Sequence, residues 1–132
     1  MVAKVLNRPG AIHDWRKWEK AVTSEIMRAE VYRAFDNLRV ARAISAERMA
    51  DYLKLVANLT AAWEEVPIQQ KILRRVASPF ATRIKTLDAI HLATALTWMD
   101  EHNEPLTFFT HDHHLAIAAR ICGLNVKTKP EN

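Results

Sequence analysis

Lys85-Thr86-Leu87-Asp88-Ala89-Ile90-His91-Leu92-Ala93-Thr94-Ala95-Leu96-Thr97-Trp98 is the segment around which the rest of the chain is organised. Thr86 is a good N-cap, and Leu87, Ile90, Ala93 and Leu96 recur at helical spacing. The helix is apolar on nearly every face, so it is expected to be buried. Asp88 nevertheless sits in its first turn, beside the positive end of the helix dipole. A carboxylate there either caps and compensates charge, or serves a metal or catalytic role at the rim of a sheet. The helix alone leaves both open.

The surrounding chain narrows the class. Its 132 residues suit one domain, expected to span residues 1–132, with a single sizeable core. Apolar residues make up 49% and charged residues 26%, a globular balance. With two glycines, five prolines and alanine-rich periodic runs, helix should predominate. The net charge of +4 permits a nucleic-acid partner without requiring one. One cysteine, Cys122, cannot form an internal disulfide, and its apolar neighbours favour a buried thiol. No apolar run approaches the ~20 residues of a membrane span. Met1 to Leu6 is too short for a signal peptide and is followed by Arg8-Pro9-Gly10. The expected location is cytoplasmic.

Working outward, Val2 to Asn7 reads as a short helical piece ended by Pro9-Gly10. Ala11 to Lys20 reads as a helix docked by Trp15 and Trp18, and Ala21-Val22-Thr23 as a short strand. Ser24 should cap a helix to about Ala41 with Ile26, Met27, Val31, Ala34, Phe35 and Leu38 as its stripe; Glu30 falls between stripe members. Ser45 caps a second helix, Ala46 to Trp63, whose face of Met49, Leu53, Val56, Leu59 and Trp63 reads as core or dimer seam. Glu64 to Ile68 suits a short strand and Gln69 to Phe80 a helix. Leu106-Thr107-Phe108-Phe109-Thr110 is the clearest strand, β-branched and aromatic after Pro105. Thr110 should cap Asp112 to Cys122, with Leu115, Ala118, Ala119 and Ile121 as its stripe and Gly123 as its stop; Asn125 to Thr128 is a last strand. Helices alternating with short strands predict an α/β fold with a short parallel sheet flanked by helices.

Two acids stand in equivalent places. Asp88 and Asp112 each lie two residues after a threonine at a helix start, and Asp112 follows a strand's carboxyl end. Sites in open α/β sheets form at those ends. Glu30 lies early in the helix after another strand. Carboxylates a few ångströms apart cannot all stay ionised without a cation between them. Oxygen-only ligands suit Mg²⁺ or Mn²⁺, and such an ion activates water and stabilises charge in phosphodiester hydrolysis. The three carboxyl groups are therefore expected within about 4–8 Å of one another.

Three blocks resemble the PIN-domain ribonucleases, especially the VapC-type toxins of toxin–antitoxin pairs. Thr23-Ser24-Glu25-Ile26-Met27-Arg28-Ala29-Glu30-Val31 resembles the second-acid block, with Glu30 as the acid. Leu87-Asp88-Ala89-Ile90-His91-Leu92-Ala93-Thr94-Ala95 resembles the third, with Asp88. Phe109-Thr110-His111-Asp112-His113-His114-Leu115-Ala116, with Gly123-Leu124 beyond it, resembles the fourth, with Asp112 and the polar Thr110. Any one block is a weak signal; the three in order are specific. The resemblance implies a single PIN-like α/β domain, a Mg²⁺ (or Mn²⁺) site of Glu30, Asp88 and Asp112, endonuclease action on RNA, a homodimer and a small antitoxin partner. It departs in one place. The family's first acid ends an N-terminal apolar strand, and here that strand and its aspartate are expected to be missing. The site then holds three acids where the family has four.

Two readings follow. The first is a Mg²⁺-dependent endoribonuclease, the toxin of a toxin–antitoxin pair, impaired by loss of the first aspartate. In it Ser24 and Thr110 orient acids or phosphate, and Arg28, Arg83 and Lys85 contact RNA backbone. The second is a non-catalytic PIN-like module that dimerises and binds an antitoxin or RNA. The run His111-Asp112-His113-His114 suggests zinc, but adjacent residues in one turn diverge too widely to close on one ion. His91 shares the face of Asp88 and reads as a buried, hydrogen-bonded histidine with a supporting role open to it. Apolar surface on Ala46–Trp63 and Ala11–Lys20 also favours a dimer.

Overall fold

The computed structural model describes residues 3–6 and 20–128. Five strands form one sheet: β1 (Ala3–Leu6), β2 (Lys20–Ser24), β3 (Glu64–Val66), β4 (Leu106–Phe109) and β5 (Asn125–Lys127). Five helices accompany them: α1 (Ile26–Val40), α2 (Ala46–Thr60), α3 (Gln70–Val76), α4 (Thr86–His102) and α5 (His113–Ile121). The strand order is β3-β2-β1-β4-β5, and every pairing is parallel. The expected α/β architecture is therefore present.

The N-terminus differs from expectation. Ala3–Leu6 is the central strand, with Val5 beside Val22 of β2 on one side and Phe108 of β4 on the other. Two facing strands each present a row of backbone donors and acceptors that need partners. The segment satisfies both rows, and its Val5 suits an extended chain. Four residues carry too little periodicity to separate strand from helix in sequence, so Val2–Asn7 read as helical. The strand thought missing is in place, and the residue that follows it in the chain is Asn7, an amide. The expected Ala11–Lys20 helix falls almost wholly outside the described residues, and its last member, Lys20, begins β2.

The long buried helix is the spine of the core. Every residue of α4 from Ala89 to Ala95 is buried, as are Thr97 and Trp98. It packs on β1, β2 and β4, with α3 and α5 on its flanks. Val22, Leu92, Trp98, Leu106, Phe108 and Leu115 form the centre of the core. Asn103, in the left-handed region at φ 51°, ends α4 and turns the chain into β4. Thr86 proves to be the first residue of α4 and Lys85 its N-cap. Helix α3 ends at Val76, four residues before the expected Phe80.

Other parts of the helical layer are less covered. Helix α2 packs chiefly on α1, with Phe35 stacked on Tyr52 at 5.4 Å between ring centroids. Only Met49 and Thr60 of α2 are buried, so its apolar face is largely half-covered. Ile121 and Cys122, expected inside, are exposed. Ile121 ends α5 and Cys122 is its C-cap, beyond the face that Leu115, Ala118 and Ala119 bury. Among the described residues no helix is long and apolar enough to cross a membrane.

Candidate functional site at the carboxyl rim of the sheet

The strand order reverses direction of build between β1 and β4, and in parallel open sheets the crevice outside the carboxyl ends at such a point receives ligands. Three helices start on this rim. Helix α1 leaves β2 after one intervening residue, and α5 follows the end of β4. Helix α4 is joined to the start of β4 by three residues, 103–105, so its C-terminus lies at the amino edge and its N-terminus at the carboxyl rim. Glu30 of α1, Asp88 of α4 and Asp112 ahead of α5 thus all belong to elements that begin there.

Glu30 lies in the second turn of α1, and its Oε1 meets Nε2 of His91 on α4. The His91 side chain is wholly buried, whereas that of Glu30 is 26% exposed. His91 lies three residues after Asp88, so both occupy one face of α4. Asp88 is half-buried in the first turn. Asp112 is the N-cap of α5, and its Oδ1 accepts from the Leu115 N–H at 2.9 Å. Thr110 holds that turn: its buried Oγ1 accepts from the Asp112 N–H at 3.0 Å, and its own N–H donates to the Lys127 carbonyl at 3.1 Å. Asp112, where Thr110 was expected, is therefore the cap.

Ser24 is also buried, with its Oγ accepting from the Ile26 N–H at 3.3 Å. Ser24 and Thr110 shape the two strand exits and are closed to bulk solvent. Arg28 turns to Glu65 beside β3, and its Nε donates to that carboxylate. Lys85, the N-cap of α4, and Arg83 are exposed on the rim.

Among the described residues, no three His, Cys, Asp or Glu side chains are gathered into a group able to hold a metal ion. The expected convergence of Glu30, Asp88 and Asp112 is thus not present as a closed site. Each carboxylate that is pulled toward a neighbour lowers the repulsion among the three. Glu30 goes to His91, and Asp112 to the positive end of α5. The donor types do fit a hard divalent cation, being oxygen only, on elements that share one rim. The pairing of Glu30 with His91 was not legible in sequence, since 61 residues separate them. A histidine on an apolar helix one turn from an acid was the available signal.

The chain matches the family model described as PIN domain over residues 2–121. No curated protein sequence matches it. Among solved structures it is similar to VapBC-1 from nontypeable Haemophilus influenzae, at 16% identity and a TM-score of 0.58, over 96% of this chain and 97% of that one.

Proposed function

This chain belongs to the PIN-domain family, and we propose that it is a metal-dependent endoribonuclease of the toxin–antitoxin type, weakened at its first acidic position. One observation carries the reading: Glu30 lies on α1, Asp88 on α4 and Asp112 caps α5, the three helices that start from the carboxyl rim, with α1 and α4 tied together through Glu30 and His91. Glu30, Asp88 and Asp112 would hold Mg²⁺ or Mn²⁺. A divalent ion bound there supplies positive charge and water activation for phosphodiester hydrolysis. Thr110 and Ser24 hold the turns that leave β4 and β2, ahead of Asp112 and Glu30. Lys85 and Arg83, exposed at the start of α4, would meet RNA phosphates, and Arg28 joins them only if it leaves Glu65. The likeness to a VapBC-1 structure supports a small antitoxin as protein partner.

The chain's central strand runs straight into Asn7 where the family's pattern puts its first aspartate. An amide supplies a ligand oxygen without the negative charge, so ion affinity falls. The test is RNA cleavage at millimolar Mg²⁺ by three proteins: the chain itself, Asn7→Asp, and Asn7→Asp with Asp88→Asn. The first should cut poorly, the second at least about tenfold faster, and the third not at all. Unchanged cleavage in the third sinks the assignment of Asp88. Equal cleavage in the first two sinks the role given to position 7 and favours the non-catalytic, partner-binding reading if both are inert.

A further inference from the structure

We infer that the segment from Phe80 to Lys85 is a substrate rail: an extended strap, pinned down at three points, that holds Arg83 and Lys85 in line to grip successive phosphates of single-stranded RNA, with Thr82 as its positioning residue. The inference rests on the endonuclease reading above and deepens it, by naming the form of RNA taken and the group that sets the grip. No metal ion enters it.

Exposure alternates along the strap. Phe80, Thr82 and Ile84 are half-buried, whereas Ala81, Arg83 and Lys85 are exposed. A period of two marks an extended chain lying on a surface. Phe80 and Ile84 pack against the hydrophobic core. Between them the Thr82 Oγ1 donates to the His114 carbonyl of α5 at 2.5 Å. The anchors are thus spaced two residues apart, and α4 begins directly after the strap, at Thr86.

Arg83 stands between the second and third anchors. Lys85 follows the third, with extended backbone at φ −81° and ψ 162°. Both belong to the outward set of the alternation. Two residues of extended chain span at most about 7 Å, comparable with the step between successive phosphates of an extended single strand. The two charges are also uncommitted. Arg28, Arg33, Arg39 and Arg75 are each paired with a carboxylate, whereas among the described residues no salt bridge takes up Arg83 or Lys85. Ordering a cation's backbone before binding lowers the entropy lost when it meets a phosphate. Thr82 supplies that order, since without its bond the chain between Phe80 and Ile84 has no polar tie to α5.

The form of RNA follows from the charges around the strap. One row of two cations tracks one backbone. Asp88 lies three residues beyond Lys85, and Asp112 two residues before His114, so each end of the strap has a carboxylate within a few residues of its anchor. The second backbone of a duplex would bring phosphates toward these acids, and like charges repel. A single strand can follow the cations alone.

The experiment measures binding of a fluorescein-labelled single-stranded RNA oligonucleotide, and of a blunt RNA duplex of the same length, by anisotropy across a salt series. EDTA is present so that nothing is cut, and thermal melting is followed alongside. Arg83→Gln and Lys85→Gln should each weaken single-strand binding several-fold and lower the slope of log affinity against log salt by about 0.7, the loss of one phosphate contact. Lys54→Gln, which removes the same charge from the exposed side of α2, should leave both unchanged. Thr82→Val removes no charge yet should also weaken binding several-fold, and Thr82→Ser should restore it. Added to Arg83→Gln, Thr82→Val should cost little more, because Thr82 acts through Arg83. The duplex should bind more weakly than the single strand. Arg83→Gln behaving like Lys54→Gln, Thr82→Ser binding no better than Thr82→Val, or a duplex bound as tightly as the single strand each overturns the rail. If Thr82→Val does not fold, Arg83→Gln and Lys85→Gln against Lys54→Gln decide. A parent chain that binds neither RNA overturns the endonuclease reading and the rail together, whereas a binding parent indifferent to Arg83→Gln and Lys85→Gln overturns the rail alone.

Discussion

Asp112 carries two duties that a pair of substitutions separates. Its carboxylate caps α5, and the same group is a candidate ligand. Asparagine caps a helix as well as aspartate does, while alanine does not. Asp112→Asn should therefore melt within a degree or two of the parent yet lose cleavage in the Asn7→Asp background. Asp112→Ala should lose cleavage and also about 1 kcal/mol of stability. Equal melting of the two variants would remove the capping role. Away from the rim, Asp36 shows what an acid does when it serves only the fold. Hydrogen bonds from Arg39 and then Arg33 hold its pKa below the ordinary 3.8, with the Arg39 Nη2 at 2.8 Å. A depressed carboxyl pKa gives stability above the unfolded-state value and loses it as the group protonates. The parent should thus be more stable than Asp36→Asn near neutral pH, and the gap should close as pH falls below the ordinary 3.8 and the carboxylate protonates. Chemical denaturation of both proteins across that range checks the sign.

Among the elements, α4 bears most of the packing and α5 the sharpest ending. Leu92 is wholly buried at the contact of α4 with the sheet. Leu92→Ala should cost about 2–5 kcal/mol, read from urea unfolding, because so tight a core cannot collapse into the space. A cost below about 1 kcal/mol would show that α4 is not the spine. Helix α5 ends at Ile121 with Cys122 as its C-cap, and Gly123 turns the chain at φ 93° into β5. Space for a Cβ at Gly123 is open, with nothing within 4 Å. The cost of Gly123→Ala is therefore backbone strain alone, roughly 1–2 kcal/mol. The same change at a helical position would stabilise, so the direction of the measured change tests the conformation itself.

At the scale of the whole molecule, the helical hairpin of α1 and α2 stands proud of the core. Tyr32, Leu38, Val40, Tyr52 and Leu55 are exposed on it. Scattered exposed apolar residues are ordinary, but a group on one hairpin favours association. The homodimer proposed from sequence should give a dimer mass by light scattering at high micromolar concentration, and a monomer there would remove it. The α/β class and the five helices, each within a few residues, were legible in the sequence. Those are properties of local periodicity, caps and motif spacing, which act over a few residues. Ser45 was legible too as the cap of α2, and its Oγ takes the Arg48 N–H at 3.1 Å. Ala3–Leu6 is a strand for a tertiary reason: four residues become extended when β2 and β4 offer unpaired edges on both sides. The tertiary structure alone decided that Glu30 meets His91, a contact between helices that no local rule encodes, and that Arg28 is taken by Glu65. It also turned Ile121 and Cys122 outward, since burial depends on what stands opposite a residue and not on its own apolarity.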